Sequence, residues 1–349
     1  MPNSLKIRQN GKKNFAYLGL VLTVFCHSQT VKANENIATL TQLQGEAKIF
    51  FHPAKSLPLK TESPRALFEG EYFEVKEAKV GDQIEKGSIF RTSPGSKARL
   101  IYPNGDQINV ASASAYRVSW TVAEAKNTNA TKAKTQINLM YGKLRGIIEK
   151  GGPRSRLQVK TKSAVMGVRG TDFFVEEDTK SGETYFSIIR GKVEVKSTAK
   201  NTLPVDIVAG YSLHIDTNVV TKAQPVPKLE LQKTSQQEFV KIQKASSLAS
   251  GLASGSNPAQ NPPDAKIAQL ETQASQTILR DIQKTDPTLY AALNDKNQKN
   301  GISIDDLNRA AMQTLFKEAP AAPVKGKPGQ RELEKLEEGA YDKYFRIEE

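Results

Sequence analysis

The chain has 349 residues, of which 38% are hydrophobic and 25% charged, an ordinary composition for a protein with a buried core, long enough for one sizeable domain and a smaller one. Its formal charge is +13, and it carries one cysteine and three histidines. A single cysteine excludes an internal disulfide, so stability must come from packing.

The N-terminus reads as a signal peptide: a basic start (Lys6, Arg8, Lys12, Lys13), an apolar run from Phe15 to Cys26, then a polar stretch from His27 to Lys32 that ends at Ala33. The run is shorter than the ~20 residues a spanning helix needs. Val31 and Ala33 put small residues where a signal peptidase reads, so cleavage is expected before Asn34. An uncleaved anchor is one alternative; lipidation at Cys26 is another, although Phe25 stands where it wants a small residue. Removing residues 1–33 takes away Lys6, Arg8, Lys12, Lys13 and Lys32 and no acid, which lowers the formal charge from +13 to +8. It also removes the only cysteine, and with it any thiol nucleophile. No transmembrane span is then expected, and the location is the periplasm or cell envelope, or outside the cell. A moderate positive charge there suits an envelope protein, anionic lipid headgroups or acidic wall polymers, or is simply a solvated basic surface. Nucleic acid is not expected, because no basic run is interleaved with aromatics.

From residue 34 to 222 the pattern is all β: short alternating runs rich in Val, Ile, Thr and Tyr, punctuated by glycine turns. Arg156–Thr161 and Lys192–Lys196 alternate strictly, which places apolar side chains on one face and charges on the other. Pro94-Gly95, Asn104-Gly105, Gly151-Gly152-Pro153 and Ser181-Gly182 supply turns. A weak rhythm recurs at Gly142-Lys143-Leu144, Gly191-Lys192-Val193 and Gly210-Tyr211-Ser212-Leu213, where a strand follows a glycine. The segment Thr121–Gln136 has almost nothing large and apolar and reads as a surface insertion.

Residues 223–263 read as a linker with one helix, which a Ser235/Glu238 capping box opens ahead of Phe239 and Ile242. The flexible part, with a domain boundary in it, is Ala253–Asp264. Residues 264–318 read as a small helical hairpin. Ile267, Leu270, Ala274, Ile278 and Ile282 form an apolar stripe, a short helix begins at Asp286-Pro287, and another runs from Ile304 through Leu307, Ala311 and Leu315. Residues 319–349 are a Pro/Ala/Lys-rich charged tail with a short helix ending at Tyr341–Phe345.

The run from Ser163 to Val175 (SAVMGVRGTDFFV) resembles the central signature of FecR domains, in which a strand enters a glycine-flanked turn and leaves as another strand. Gly81-Asp82-Gln83-Ile84, Thr92–Ser96 and Pro103–Asp106 look like that family's early strands and turns, and Ile189–Val195 with Val208-Ala209-Gly210 like its closing ones. The resemblance spans about Gly81 to Ile215 and implies a mainly β domain, a FecR-like β-sandwich or a short β-solenoid. On the residues themselves, Gly167 and Gly170 allow turns closed to residues with a Cβ, Arg169 and Asp172 are expected to pair across the bend, and Thr171 to bond the local backbone. These five residues are either a structural corner or a partner contact. The signalling members of the family carry a cytoplasmic domain that binds a sigma factor; here only some dozen residues precede the apolar run, so that role is not expected to carry over.

Asp295-Lys296-Asn297-Gln298-Lys299-Asn300-Gly301 through Asp306 resembles an EF-hand loop, with Asp295, Asn297, Ser303 and Asp306 at ligand places. Lys299 stands where an oxygen ligand belongs and Asn300 where the turn glycine does, and Asp306 has a competing role as the capping partner of Ser303. The implied affinity for calcium is weak; no other cofactor is expected.

After removal of the first 33 residues only His52 and His214 remain, and no HExxH, GxSxG or phosphate-loop pattern occurs. No catalytic residue is assigned and no enzyme is expected. The leading reading is a non-catalytic binding or scaffolding module of the envelope. The alternatives are a sensor that relays to a membrane partner and, since carboxylate pairs leave no motif, a cell-wall hydrolase.

Overall fold

The computed structural model describes residues 36–56, 63–121, 134–150, 157–178, 180–199, 202–216, 229–248, 265–293, 302–316 and 346–348. The expected signal peptide and its cleavage point, most of the Thr121–Gln136 insertion, the Gly151-Gly152-Pro153 turn, the flexible linker and the tail up to Phe345 lie outside these residues.

The strands are β1 (Asn36–Gln44), β2 (Ala47–Ala54), β3 (Arg65–Phe68), β4 (Glu71–Glu77), β5 (Gln83–Glu85) and β6 (Ile89–Thr92). They continue as β7 (Lys97–Ile101), β8 (Gln107–Val110), β9 (Ala115–Thr121), β10 (Lys134–Ile147), β11 (Leu157–Lys160), β12 (Ala164–Val168) and β13 (Asp172–Glu177). Then come β14 (Glu183–Arg190), β15 (Lys192–Ser197), β16 (Val205–Val208), β17 (Tyr211–Asp216) and β18 (Leu231–Lys233), with β19 (Arg346–Glu348) at the C-terminus. Among the described residues, four helices lie between β18 and β19: α1 (Gln236–Ser246), α2 (Ala265–Thr285), α3 (Pro287–Ala292) and α4 (Ile304–Phe316).

Two sheets share β10. The first runs β5-β1-β7-β8-β10-β13-β14-β17-β18 and is antiparallel throughout. The second runs β19-β3-β4-β2-β6-β9-β10-β11-β12-β15-β16, antiparallel except for the β10–β11 pair. The N-terminal part of β10 pairs with β9; from Gly142 on, the strand pairs with β13 instead. Gly142 makes the change of sheet feasible. Its φ is +83°, and a Cβ there would lie 2.5 Å from Ser114 Cα and 2.6 Å from the Ala113 carbonyl oxygen, backbone that cannot give way. Gly191 and Gly210, the other two members of the glycine rhythm, also have positive φ and also stand where the chain passes from one sheet to the other. The rhythm therefore marks crossings between two facing layers.

Apolar residues of both layers fill one core, with Leu40, Leu100 and Phe186 from the first sheet and Ile49, Val159 and Val195 from the second. This favours the sandwich among the two expected arrangements. β15 keeps one face in water and alternates strictly between exposed and buried residues, as its sequence predicts. β8, inside the first sheet, is buried on both faces; on its outer side Asn109 is covered by Arg99, which reaches on to Glu271 of α2.

α1 and α3 start as the sequence predicts: Ser235 and Glu238 form the capping box, and Asp286 caps α3 by accepting from Leu289 N at 3.0 Å. The helical region does not stand apart from the β region. Phe239 and Ile242 of α1, Ile278 and Ile282 of α2, and Leu307 and Met312 of α4 share a second core with Ile147, Phe174 and Ile189 of the first sheet. An amphipathic helix needs an apolar surface to bury its stripe, and the outer face of the sheet provides one. The described residues of the β region and of the helices accordingly belong to one compact unit. Among the described residues no helix is long and apolar enough to cross a membrane.

Candidate functional site

β12 leads into Arg169-Gly170-Thr171, and β13 begins at Asp172, so the turn carries the chain from the second sheet to the first. Gly170 is held by two constraints: its φ is +68°, and a Cβ would lie 2.5 Å from Lys150 Cα. Gly167 corrects the sequence expectation. It is an ordinary strand residue between Gln158 and Glu194, and a Cβ would find its nearest neighbour, the Glu194 carbonyl oxygen, at 3.7 Å. The expected Arg169–Asp172 pair does not form, because the crossing separates them. Arg169 stays exposed at the end of the second sheet, whereas Asp172 enters the helix-covered face of the first. Thr171 is also buried, and its hydroxyl finds no hydrogen-bond partner among the described residues.

Asp172 is taken by Arg145 of β10. Arg145 Nε donates to Asp172 Oδ1 at 2.8 Å and Nη2 to Oδ2 at 2.6 Å, a two-pronged pair with both side chains buried. Nη1 of the same guanidinium reaches Asn308 of α4 at 2.5 Å and Ser246 of α1 at 3.3 Å. Two further arginines of this sheet face repeat the arrangement. Arg99 donates to Asn109 and to Glu271 of α2, each at 3.0 Å, and Arg190 to Asp281 of α2 at 2.8 Å and to the Ile148 carbonyl at 3.2 Å. Backbone register explains the row: Arg99 pairs with Asn109, Asn109 with Arg145, and Arg145 with Phe174, so their side chains share a face. Lys97 joins it from the edge, donating to the Lys244 and Ser247 carbonyls at the end of α1; burial lowers its pKa, with the nearby Lys244 charge acting in the same direction.

On the other side of the turn lies an open cleft of about 800 Å³ whose lining includes Lys150, Gly167, Arg169, Lys192, Glu194 and Asp206. Lys192 and Asp206 form an ion pair at 2.7 Å. Among the described residues the Arg169 guanidinium and the Lys150 ammonium make no ion pair. The signature turn thus has two faces: Asp172 is spent inside the fold, and Arg169 is left at the cleft.

Residues 88–194 match the family whose description is FecR protein. The chain carries a FecR domain. The matched span lies inside the region that the sequence resemblance outlines and contains the whole signature turn. Two crystal structures from Parabacteroides distasonis ATCC 8503, each provisionally described as an anti-sigma factor, share 14% identity with the chain. One has a TM-score of 0.30 and overlaps 42% of this chain and 58% of its own; the other has 0.32, 45% and 63%. The chain therefore spans less than two thirds of either structure. No curated protein matches it.

The FecR domain is completed from outside the matched span. Ser246, Glu271, Asp281 and Asn308, the helical partners of Arg99, Arg145 and Arg190, all follow residue 194. Sequence reasoning missed these four. A signal was present: Asp281 adjoins Ile282 and follows Ile278 by three, so it stands on the apolar stripe of α2, where a charge needs a buried partner. Lys150, Lys192, Glu194 and Asp206 were missed for a different reason, since the fold brings them together from separate strands and the sequence leaves no pattern.

Of the expected calcium ligands, Asp295 and Asn297 lie outside the described residues. Ser303 and Asp306 cap α4 reciprocally: Asp306 N donates to Ser303 Oγ at 3.1 Å, while Ser303 N and Oγ donate to Asp306 Oδ2 at 3.0 and 2.7 Å. Among the described residues no three His, Cys, Asp or Glu side chains converge as a metal site. His214 is exposed, as expected, with its ring 4.5 Å from that of Tyr185. His52 faces Glu74 at 3.2 Å and Glu85 at 3.6 Å.

Proposed function

We propose that the protein is an exported, non-catalytic binding module of the bacterial cell envelope, and that its partner docks at the cleft beside the signature turn. The observation that carries this reading is the split of the turn's charges. Asp172 is consumed by Arg145, whereas Arg169 stands exposed on the cleft with no ion pair among the described residues. A structural corner needs only the first; a free cation on a concave surface has its use in recognition. The basic start and short apolar run of residues 1–33 support export, with the mature chain beginning at Asn34. The FecR domain itself favours the second reading, a sensor that relays to a membrane partner.

The test is fractionation and co-purification of the tagged native protein, with Arg169→Ala beside it. Recovery from the periplasm or envelope without residues 1–33, with a partner that Arg169→Ala loses while its melting midpoint holds, supports the proposal. A cytoplasmic protein with an intact N-terminus overturns export, and undiminished co-purification with Arg169→Ala overturns the docking site. A co-purified transmembrane receptor favours relay; hydrolysis of wall material by the purified chain overturns the non-catalytic reading.

A further inference from the structure

We infer that the cleft takes an extended, acidic segment of a protein partner, laid with its main chain across Gly167. The inference rests on the docking reading above and adds the chemistry of the occupant. Two observations carry it, one steric and one electrostatic.

The steric observation is that the fold does not ask for glycine at position 167. The residue lies inside β12, paired on both sides, and a Cβ would meet nothing closer than 3.7 Å. Glycine inside a strand costs about 0.5–1 kcal/mol relative to alanine, because its unfolded chain is freer. What it yields in return is the bare backbone in the lining of the cleft, where another main chain can approach closely. Gly170, three residues on, is the contrast: there φ and the contact with Lys150 already account for the glycine.

The electrostatic observation comes from setting aside the charges already matched. Arg190 is held by Asp281 and Lys192 by Asp206. Asp286 caps α3 but keeps its charge, since it accepts from a neutral amide; among the described residues lining the cleft, the cations Lys150 and Arg169 and the carboxylates Glu194 and Asp286 then remain without an ion pair. Lys150 and Arg169 belong to the turn end: Gly170, the neighbour of Arg169, packs on Lys150. The guanidinium fork of Arg169 suits a carboxylate, and an acidic segment stays extended because its charges repel.

The test titrates the purified mature chain with an end-blocked hexaglutamate peptide at low salt and follows the amide resonances of Gly167, Arg169 and Glu194. Hexalysine, and an anionic wall polymer of the teichoic acid type, run alongside. Saturable shifts at these three amides with hexaglutamate are expected, weakened about tenfold or more by Arg169→Glu. Gly167→Leu should block binding with the melting midpoint unchanged, and Gly167→Ala should weaken it less. Absence of shifts up to millimolar peptide, equal binding of hexalysine, tighter binding of the wall polymer, or indifference to Arg169→Glu would each overturn the acidic-segment assignment. Co-purification separates this failure from failure of the docking reading. If Arg169→Glu and Gly167→Leu lose the cellular partner while hexaglutamate does not bind, the site stands and its chemistry is wrong. If both variants keep the partner, the site itself is wrong.

Discussion

Arg145 and Asp172 meet in two parallel hydrogen bonds, 2.8 and 2.6 Å long, beneath the helices and out of reach of water. Each would be costly to leave alone in that setting, and each is the reason the other can be there. Arg145→Met is expected to destabilise the fold by about 3–5 kcal/mol, the range for removing one partner of a buried pair. The double replacement Arg145→Met with Asp172→Leu should recover part of that loss, because neither charge is then stranded. Urea unfolding of the unaltered chain, the two single variants and the double variant checks this, and a double variant as unstable as the two single losses added together would show that the charges are not coupled.

Gly170 and Gly95 both have positive φ but differ in what surrounds them. At Gly95, with φ +74°, a Cβ would meet nothing within 4 Å, so Gly95→Ala should cost about 1 kcal/mol, the backbone term alone. Gly170→Val must also push against Lys150, and is expected to cost at least about 1–3 kcal/mol. Thermal melts of the two variants in parallel give the comparison; equal losses would mean that the close approach to Lys150 relaxes freely.

Glu177, at the end of β13, is buried, and its pKa is raised. Burial is the main cause, opposed by the hydrogen bond that Thr184 Oγ1 donates to Oε2 at 2.5 Å. A carboxyl group whose folded pKa lies above its unfolded one costs nothing when both states are protonated, and becomes a penalty as the pH rises from the unfolded value through the folded one. Glu177→Gln should therefore raise the melting midpoint at pH 7, leave it nearly unchanged near pH 4, and flatten the slope between. A pH series of melts on the two chains is the measurement, and a midpoint lowered at pH 7 would reverse the sign.

Ser303 and Asp306 occupy each other at the start of α4, which removes two of the four oxygens that the loop resemblance offers to calcium. Calorimetry on the full chain is expected to find an affinity no better than about 10⁻³ M, the weak end of extracellular calcium modules. Chelation should leave the helical signal unchanged, and Ser303→Ala should cost about 1 kcal/mol whether or not calcium is present. Micromolar binding abolished by Asp295→Ala would overturn this.

The strands, the turns at Pro94-Gly95, Asn104-Gly105 and Ser181-Gly182, the caps at Ser235 and Asp286 and the central signature were legible in the chain because each is a local matter. Alternation places side chains on faces, glycine permits positive φ, and a capping oxygen acts within one helical turn. Pairing partners are not local. Arg169 and Asp172 stand three apart and look like partners, yet the chain changes sheets between them, and Asp172 finds Arg145 on a neighbouring strand. The apolar stripe of α2 announced a buried face without naming its surface, and only packing showed that this surface is the outer side of the first sheet, with Asp281 meeting Arg190 there. The same holds for Gly167, whose sequence setting suggested a turn. Its place in mid-strand, with room for a methyl group beside it, depends on how far away β15 lies, and that distance is set by the whole fold.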